Sequence, residues 1–282
     1  MVVFPNCKIN IGLRIGQKRA DGFHNLETIF IPLPLNDMLE ILPATKQAVT
    51  QIIYSQSGNT FDGAEADNIC VKAYHLLKGS FSQLPAIQLH LHKAIPTGAG
   101  LGGGSADGAF TLCLLNEVFK LNLSTDQLIS YALQLGSDCP FFIINKPCFA
   151  TGRGECLTPV SINLAGYSIV IINPGIHINT GWAFAQLSKC KAALQTQVQP
   201  NLQAAIQQPV ASWKNYLTND FELPAFNQYP VLKTIKEALY NQGAVYAAMS
   251  GSGSTMYGIF KKEEIPNFDF PSGYFIKKIP LQ

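Results

Sequence analysis

The chain has 282 residues, 47% of them hydrophobic and 13% charged, and 20 Lys and Arg against 18 Asp and Glu give a formal net charge of +2. That length suits one large domain or two ordinary ones around a sizeable core, and the hydrophobic content argues against wholesale disorder. The near balance of charge offers no basic stripe for nucleic acid, no apolar run reaches the roughly 18 residues of a membrane span, and seven cysteines without a CxxC fit neither a disulfide scaffold nor a zinc ribbon. The expectation is a cytoplasmic protein with reduced thiols, no membrane partner and no nucleic-acid partner.

Residues 7–15 alternate, with Cys7, Ile9, Ile11, Leu13 and Ile15 on one side and Lys8, Asn10, Gly12 and Arg14 on the other. A period of two predicts a half-buried strand whose polar face carries Lys8 and Asn10 about 7 Å apart. Asp21-Gly22 marks a turn. Residues 28–35 are apolar, but Pro32 and Pro34 predict an edge strand or a loop. A helix is expected from Asn68 to Lys78, capped by Asp67 or Asn68 and stopped by Gly79. Residues 86–93 alternate again, with Ile87, Leu89 and Leu91 inward. A glycine-rich stretch follows, then an apolar helix from about Ser105 to Phe119. Another helix starts at Ser124, where Ser124 and Gln127 form a capping box, and ends at Gly136. A boundary is expected near 150–165, dividing the chain into lobes 1–158 and 159–282. Beyond it lie a strand at 167–173 and a Gln-rich helix–loop insertion at 192–209, expected to face solvent. A helix at 231–242, two strands flanking residues 250–254 and a final strand near 274–279 complete the chain. Strands and helices mix without a regular βαβ alternation, so the class is α/β or α+β.

The strongest chemical signal is PTGAGLGGGSADGA, residues 96–109. Its glycines let backbone N–H groups approach a ligand, and the helix that follows supplies free N–H donors and partial positive charge. Together they make a phosphate cradle. Gly98, Gly100 and Gly103 satisfy GxGxxG, but the segment lies mid-chain behind an alternating strand, which fits a dinucleotide fingerprint poorly. The chain has no Gly-Lys pair for a Walker loop and no His-Arg-Asp triplet of protein kinases. What remains is another kind of nucleotide loop, with Ser105 placed as a phosphate or Mg²⁺ ligand. Asp138, in LGSDCPFF between a helix stop and Pro140, is either a turn aspartate or a general base. SGSGS at 250–254 is either a flexible turn or a place of close backbone approach. His24 beside Phe23 reads as structural on its own. His90 and His92 share a strand face but have no third metal ligand in view.

Singly each piece is ambiguous; in order they are not. Lys8-Ile9-Asn10, PTGAGLGGGSADGA, LGSDCPFF and SGSGSTMY together resemble the motifs of the GHMP kinase family, which includes galactokinase and the homoserine, mevalonate and phosphomevalonate kinases. Within that family the opening CKINIGLRIGQKRADGFHNLETIF is similar to the member of the non-mevalonate isoprenoid route that phosphorylates a cytidyl alcohol. ATGRGECLTP at 150–159, PGIHINTGWAF at 174–184 and NDFE at 219–222 strengthen that likeness.

The resemblance implies an α+β fold of two lobes, the N-terminal one like ribosomal protein S5 domain 2 and the C-terminal one ferredoxin-like, with the active site in the cleft between them. It implies ATP as co-substrate, Mg²⁺, a small-molecule alcohol as acceptor, and a monomer or weak homodimer. By motif, Asp138 is the acid–base group and Lys8 its charged neighbour. Pro96, Gly98, Gly100, Leu101, Gly102, Gly103, Gly104 and Ser105 hold the ATP phosphates, with Asn68 and Lys93 near the nucleotide. Asn10 meets the reacting hydroxyl, Phe23 and Phe184 stack on the two faces of cytosine, and His24 bonds its edge. Thr180, Gly251, Ser252 and Gly253 border the substrate. Other acceptors of the family (mevalonate, homoserine, a sugar) have no base to stack, and a silent nucleotide-binding module has no need of Lys8 and Asp138. Gly108 stands where Ala is common and is expected to weaken its helix by up to ~1 kcal/mol. No carboxylate ligand for Mg²⁺ stands out.

Overall fold

The computed structural model describes residues 1–44, 51–59, 63–194, 201–264 and 266–281. The chain opens with β1 (Val2–Val3), β2 (Asn6–Lys18), β3 (His24–Asn36), β4 (Met38–Pro43) and β5 (Ile52–Gly58). Then come α1 (Ile69–Ser80), β6 (Ile87–Lys93), α2 (Gly103–Val118), α3 (Thr125–Leu135) and α4 (Cys139–Ile144). The remainder holds β7 (Cys148–Thr151), β8 (Cys156–Pro159), β9 (Tyr167–Asn173), α5 (Thr180–Leu194), α6 (Leu202–Ala205), α7 (Glu222–Gln228), α8 (Pro230–Asn241), β10 (Tyr246–Met249), β11 (Met256–Lys261) and β12 (Phe275–Pro280). The class is α+β: most strand pairs are antiparallel, with β5 and β6 the parallel pair. The contacts divide into two units, each discontinuous in sequence: 1–7, 34–97 and 102–146 in one, and 8–33, 98–101 and 147–282 in the other.

The first unit carries a four-stranded sheet in the order β1-β4-β6-β5 with α1 to α4. Ile87, Leu89 and Leu91 of β6 are buried as the alternation predicts. Asn68 caps α1 by accepting the Cys70 N–H at 2.9 Å, and the helix runs through Gly79 to Ser80 instead of stopping before it. The capping box forms as expected, Ser124 Oγ accepting from Gln127 N–H while Gln127 Oε1 accepts from Ser124 N–H. A Cβ on Gly108 would stand 2.8 Å from Cγ1 of Ile69, so the bare backbone is what lets α1 and α2 pack closely. Any loss of helix propensity there is set against that contact.

The second unit carries two four-stranded sheets, β2-β3-β7-β8 and β10-β11-β9-β12, with α5 to α8. Leu232, Ile235 and Leu239 of α8 pack with Val170, Ile172, Met249 and Met256 of the second sheet, each such burial contributing about 1.5–3 kcal/mol. Three expectations are corrected in this unit. Residues 28–35 are strand and not loop, and Thr28 to Phe30 lie between β2 and β7; the pairing with β7 ends before Pro32 and Pro34, which have no N–H to give, so the edge expectation fails for 28–30 alone. The strand β2 is not half-buried: from Cys7 to Leu13 both faces are covered. The Gln-rich insertion does not simply face solvent, since Leu202, Ala205 and Ile206 are buried and Leu202 reaches the backbone of Gly12; residues 195–200 lie outside the described residues.

Among the described residues no helix is long and apolar enough to cross a membrane. Among the described residues Cys7, Cys70, Cys113, Cys139, Cys148 and Cys156 stand outside any disulfide.

Candidate active site

In the first unit the glycine segment runs into α2, which starts at Gly103, two residues sooner than expected. Gly102, at φ +70° in the left-handed region, is its N-cap, and no side chain caps the helix. A Cβ on Gly104 would meet nothing within 4 Å, so the space over this helix start is open to a ligand. Uncapped N–H donors with room above them are what an anion needs.

Beneath the helix start lies a buried charge cluster. Lys93, 6% exposed, ends β6. Its ammonium pairs with Asp37 Oδ2 and, at 2.7 Å, with Asp107 Oδ2 on α2. Asp37 Oδ1 also accepts the N–H groups of Ala94 and Ile95 at 2.7 and 2.8 Å. A Cβ on Gly103 would come within 3.3 Å of Lys93 Nζ. Burial pushes the Asp107 carboxyl up to about 8 against the pull of Lys93. Burial works to lower Lys93, but Asp107 and Asp37 outweigh it and raise the ammonium's pKa. Lys93 thus lies in a buried ion cluster under the glycine segment. Asn68 is likewise tied into the fold, its Nδ2 donating to the Tyr54 hydroxyl at 2.8 Å.

Ser105, on the first turn of α2, is partly exposed and hydrogen-bonds the Cys139 thiol, which burial pushes up to about 12. Asp138 is the N-cap of α4, partly buried, and its side chain makes no cap bond to that helix. A proline at the helix start suits that position.

In the second unit the polar face of β2 is covered by a hydrogen-bonded array. Lys8 is 3% exposed; its Nζ donates to Asn10 Oδ1 at 2.6 Å and lies 4.7 Å over the Phe30 ring. Asn10 Nδ2 donates to Thr28 Oγ1 at 3.1 Å, and the Thr28 hydroxyl donates to Gly12 O at 2.5 Å. The Tyr257 hydroxyl donates to Asn10 O at 2.7 Å. The loop after β10 closes on this strand, with Ser250 Oγ donating to Gly100 O at 2.8 Å. The Lys8 N–H reaches Leu101 O at 2.9 Å and the Thr255 N–H reaches Ala99 O at 3.2 Å. Gly100, at φ +79°, has no room for a side chain, because a Cβ would run into the Ser250 carbonyl. Thr180 and Ser252 share a hydrogen bond at 3.0 Å, and a Cβ on Gly253 would strike Met249 Sδ at 2.8 Å. Lys8, Asn10, Gly100, Leu101, Gly251, Ser252 and Gly253 therefore belong to one neighbourhood, while Gly98, at φ +65°, has the His177 ring where a Cβ would stand.

The aromatic residues are arranged differently from the expected sandwich. His24 stacks on Phe184, with ring centroids 5.1 Å apart and planes 12° from parallel. Phe23 is 51% exposed, with the Arg153 guanidinium 4.9 Å from its ring centre. The turn at Gly22 and the pairing of Arg19 N–H with Phe23 O place Phe23 at the hairpin, and β3 begins at the next residue, His24. The Phe184 face is thus taken by His24, and no Phe23–Phe184 slot is preformed.

Sequence reasoning missed Asp37, Thr28, Tyr257, Ser250 and Asn219, all of which hold site residues in place. Asp37 had no signal; Thr28 lay within CKINIGLRIGQKRADGFHNLETIF, Ser250 and Tyr257 within SGSGSTMY, and Asn219 within NDFE, each without a task of its own. Among the described residues no group of three or more His, Cys, Asp and Glu could hold a metal ion.

Comparison with known proteins gives a consistent family. The description "GHMP kinases N terminal domain" matches residues 68–146, and "GHMP kinases C terminal" matches 201–268. The chain is 49% identical to a 4-diphosphocytidyl-2-C-methyl-D-erythritol kinase of Bacteroides fragilis (strain YCH46), with 97% of each chain covered. It is 49% identical to the protein of the same name in Bacteroides thetaiotaomicron, with 99% of each covered. A crystal structure of 4-(cytidine 5'-diphospho)-2C-methyl-D-erythritol kinase superposes with a TM-score of 0.76 at 28% identity, covering 92% of this chain and 89% of that one. The Methanococcus jannaschii mevalonate kinase superposes with a TM-score of 0.71 at 13% identity, covering 94% and 92%, which speaks for the fold alone.

Proposed function

The chain belongs to the GHMP kinase family, and on that premise we propose that it transfers the γ-phosphoryl group of ATP to the 2-hydroxyl of 4-diphosphocytidyl-2-C-methyl-D-erythritol. The observation that carries this reading is the near-full-length identity with relatives of that name. Two features of the geometry support it: an uncapped helix start with open space above it and a buried Lys8–Asn10 pair.

In this reading Pro96 to Ser105 receive the ATP phosphates, with Lys93 and Asn68 shaping the nucleotide side. Asn10 holds the acceptor hydroxyl. Asp138 orients that hydroxyl and takes its proton as the oxygen bonds to the γ-phosphorus. The bond from that phosphorus to the bridging oxygen breaks, and ADP leaves. Lys8 offsets charge gathering on the transferred oxygens, since phosphoryl transfer depends chiefly on position and electrostatics. Phe23, His24 and Phe184 hold the cytosine, and Thr180 and Gly251 to Gly253 border the alcohol. His24 leaves the Phe184 face when the base arrives. The residues present suit a Mg²⁺ that arrives on the nucleotide, with Ser105 as the protein's contact, because Mg²⁺ bound to phosphates needs few protein ligands. When bound, it neutralises phosphate charge. The lobes are 1–158 and 159–282, and the enzyme works in the cytoplasm as a monomer or weak homodimer.

The test is ATP-to-ADP conversion with this cytidyl alcohol, mevalonate and homoserine offered in parallel. Turnover with the cytidyl alcohol alone, yielding its 2-phosphate, is expected; turnover with mevalonate or homoserine alone overturns the assigned acceptor. Asp138→Asn is expected to lower kcat by about 10²–10⁴, and near-wild-type kcat would remove Asp138 from its role.

A further inference from the structure

The segment Asn219-Asp220-Phe221-Glu222 enters the family resemblance without a task. In the structure it ties three parts of the second unit together. Residues 218–220 bracket Leu13 of β2 in a parallel bridge: the Leu13 N–H donates to Thr218 O at 2.8 Å and the Asp220 N–H to Leu13 O at 2.9 Å. Asp220 Oδ2 accepts the Ile15 N–H at 2.8 Å. Asn219 is 4% exposed and uses both ends of its carboxamide. Nδ2 donates to Met249 O and to Gly251 O, each at 2.8 Å, while Oδ1 accepts the Phe221 N–H at 2.9 Å. Glu222 Oε1 accepts the Met249 N–H at 2.8 Å, and its other oxygen pairs with Lys236 at 2.6 Å. The Phe221 ring meets Phe184 edge-on, 4.9 Å between centroids.

Two of these contacts end on residues of the acceptor side, Gly251 and Phe184. Gly251 sits close to Asn10: a Cβ built on it would lie 3.5 Å from Asn10 Oδ1. Its position follows from where its carbonyl is held, and that carbonyl is held by Asn219. The chemistry is directional. Two buried carbonyls need donors, and an N–H two residues on needs an acceptor, so a primary amide of this length satisfies all three. An aspartate of the same shape would set a carboxylate oxygen against two carbonyl oxygens. We infer that Asn219 is a positioning residue for the acceptor alcohol, fixing the Gly251 backbone beside Asn10 and, through Phe221, the ring of Phe184. This rests on the reading above that Asn10, Gly251 and Phe184 face the acceptor.

The experiment is steady-state kinetics of Asn219→Asp and Phe221→Leu, with alcohol and ATP varied separately. Asn219→Asp is expected to raise KM for the alcohol about tenfold or more while KM for ATP stays within about twofold. Phe221→Leu keeps an apolar side chain in the same space and removes the ring edge from Phe184; it is expected to raise KM for the alcohol about threefold. If Asn219→Asp does not fold, Phe221→Leu decides. An unchanged KM for the alcohol, or an equal rise in both KM values, overturns the proposal. Wild-type enzyme is run with the same panel of alcohols, and the variants are measured with whichever one it turns over. A wrong acceptor therefore shows in the wild-type enzyme, and a wrong role for Asn219 shows only in the variants; no turnover with any alcohol overturns both.

Discussion

Lys8 and Lys93 are both buried lysines on strands beside the glycine segment, yet they are built into opposite surroundings. Lys93 is held by two carboxylates, Asp37 and Asp107, and the cluster joins the end of β6 to the second turn of α2. Lys8 donates to the amide oxygen of Asn10 and lies over the ring of Phe30. The first arrangement uses a cation to hold carboxylates inside the fold. The second sets a cation beside the amide oxygen of Asn10 and the ring of Phe30, on the strand that carries both Lys8 and Asn10. Burial and residue type are the same; on the proposed function the first lysine serves the fold and the second the chemistry.

Removing each cation tests that contrast. Lys93→Ala leaves Asp37 and Asp107 buried without their cation, and breaking a buried pair of this kind costs about 3–5 kcal/mol. The expected outcome is a large fall in Tm or loss of soluble protein, read by thermal unfolding; a Tm close to wild type would break the comparison on its structural side. Lys8→Met keeps an unbranched chain over Phe30 and removes the charge. Its expected outcome is a fall in kcat of about a hundredfold to a thousandfold with Tm nearly preserved, since loss of one charge-stabilising group is of that size. A Lys8 variant that unfolds as readily as the Lys93 variant would erase the distinction.

The sequence made the elements legible where the signal was local. The Ser124–Gln127 box, the Asn68 cap and the alternation at 87–93 need only neighbours within a few positions, and all three are present in the structure. The burial of Lys8 and Asn10 was not legible, because Lys8–Asn10 alternation reads as a solvent face until Gly100 and Ser250 close over the strand from distant parts of the chain. The glycines at 103 and 104 spoke against helix, yet α2 begins there, at a terminus where their cost is low and where Lys93 and Ile95 leave Gly103 no space for a side chain. Of the candidate site, the residues with family motifs were named in advance. Those that hold them in place, such as Asp37 and Asn219, were not, because their work is done by hydrogen bonds across 30 or more positions.

A finer difference between the two lysines lies in pH. The Lys93 cluster has one ammonium and two carboxylates, and burial raises Asp107 to about 8 from an ordinary value of 3.8. Between those limits the folded chain binds more protons than the unfolded one, so stability is full at low pH and falls as pH rises through about 8. Asp107→Asn removes this titration while keeping an oxygen for Lys93 and adding donors for the neighbouring carboxylate. The variant should therefore gain on wild type as pH rises from 5 to 8, by up to about 1.4 kcal/mol per pH unit, read as a widening Tm difference. What matters is the change in that difference, since every other titrating group is common to both proteins. A Tm difference that stays constant from pH 5 to 8 would show that Asp107 is already ionised throughout, with Lys93 alone sufficient to hold both carboxylates charged.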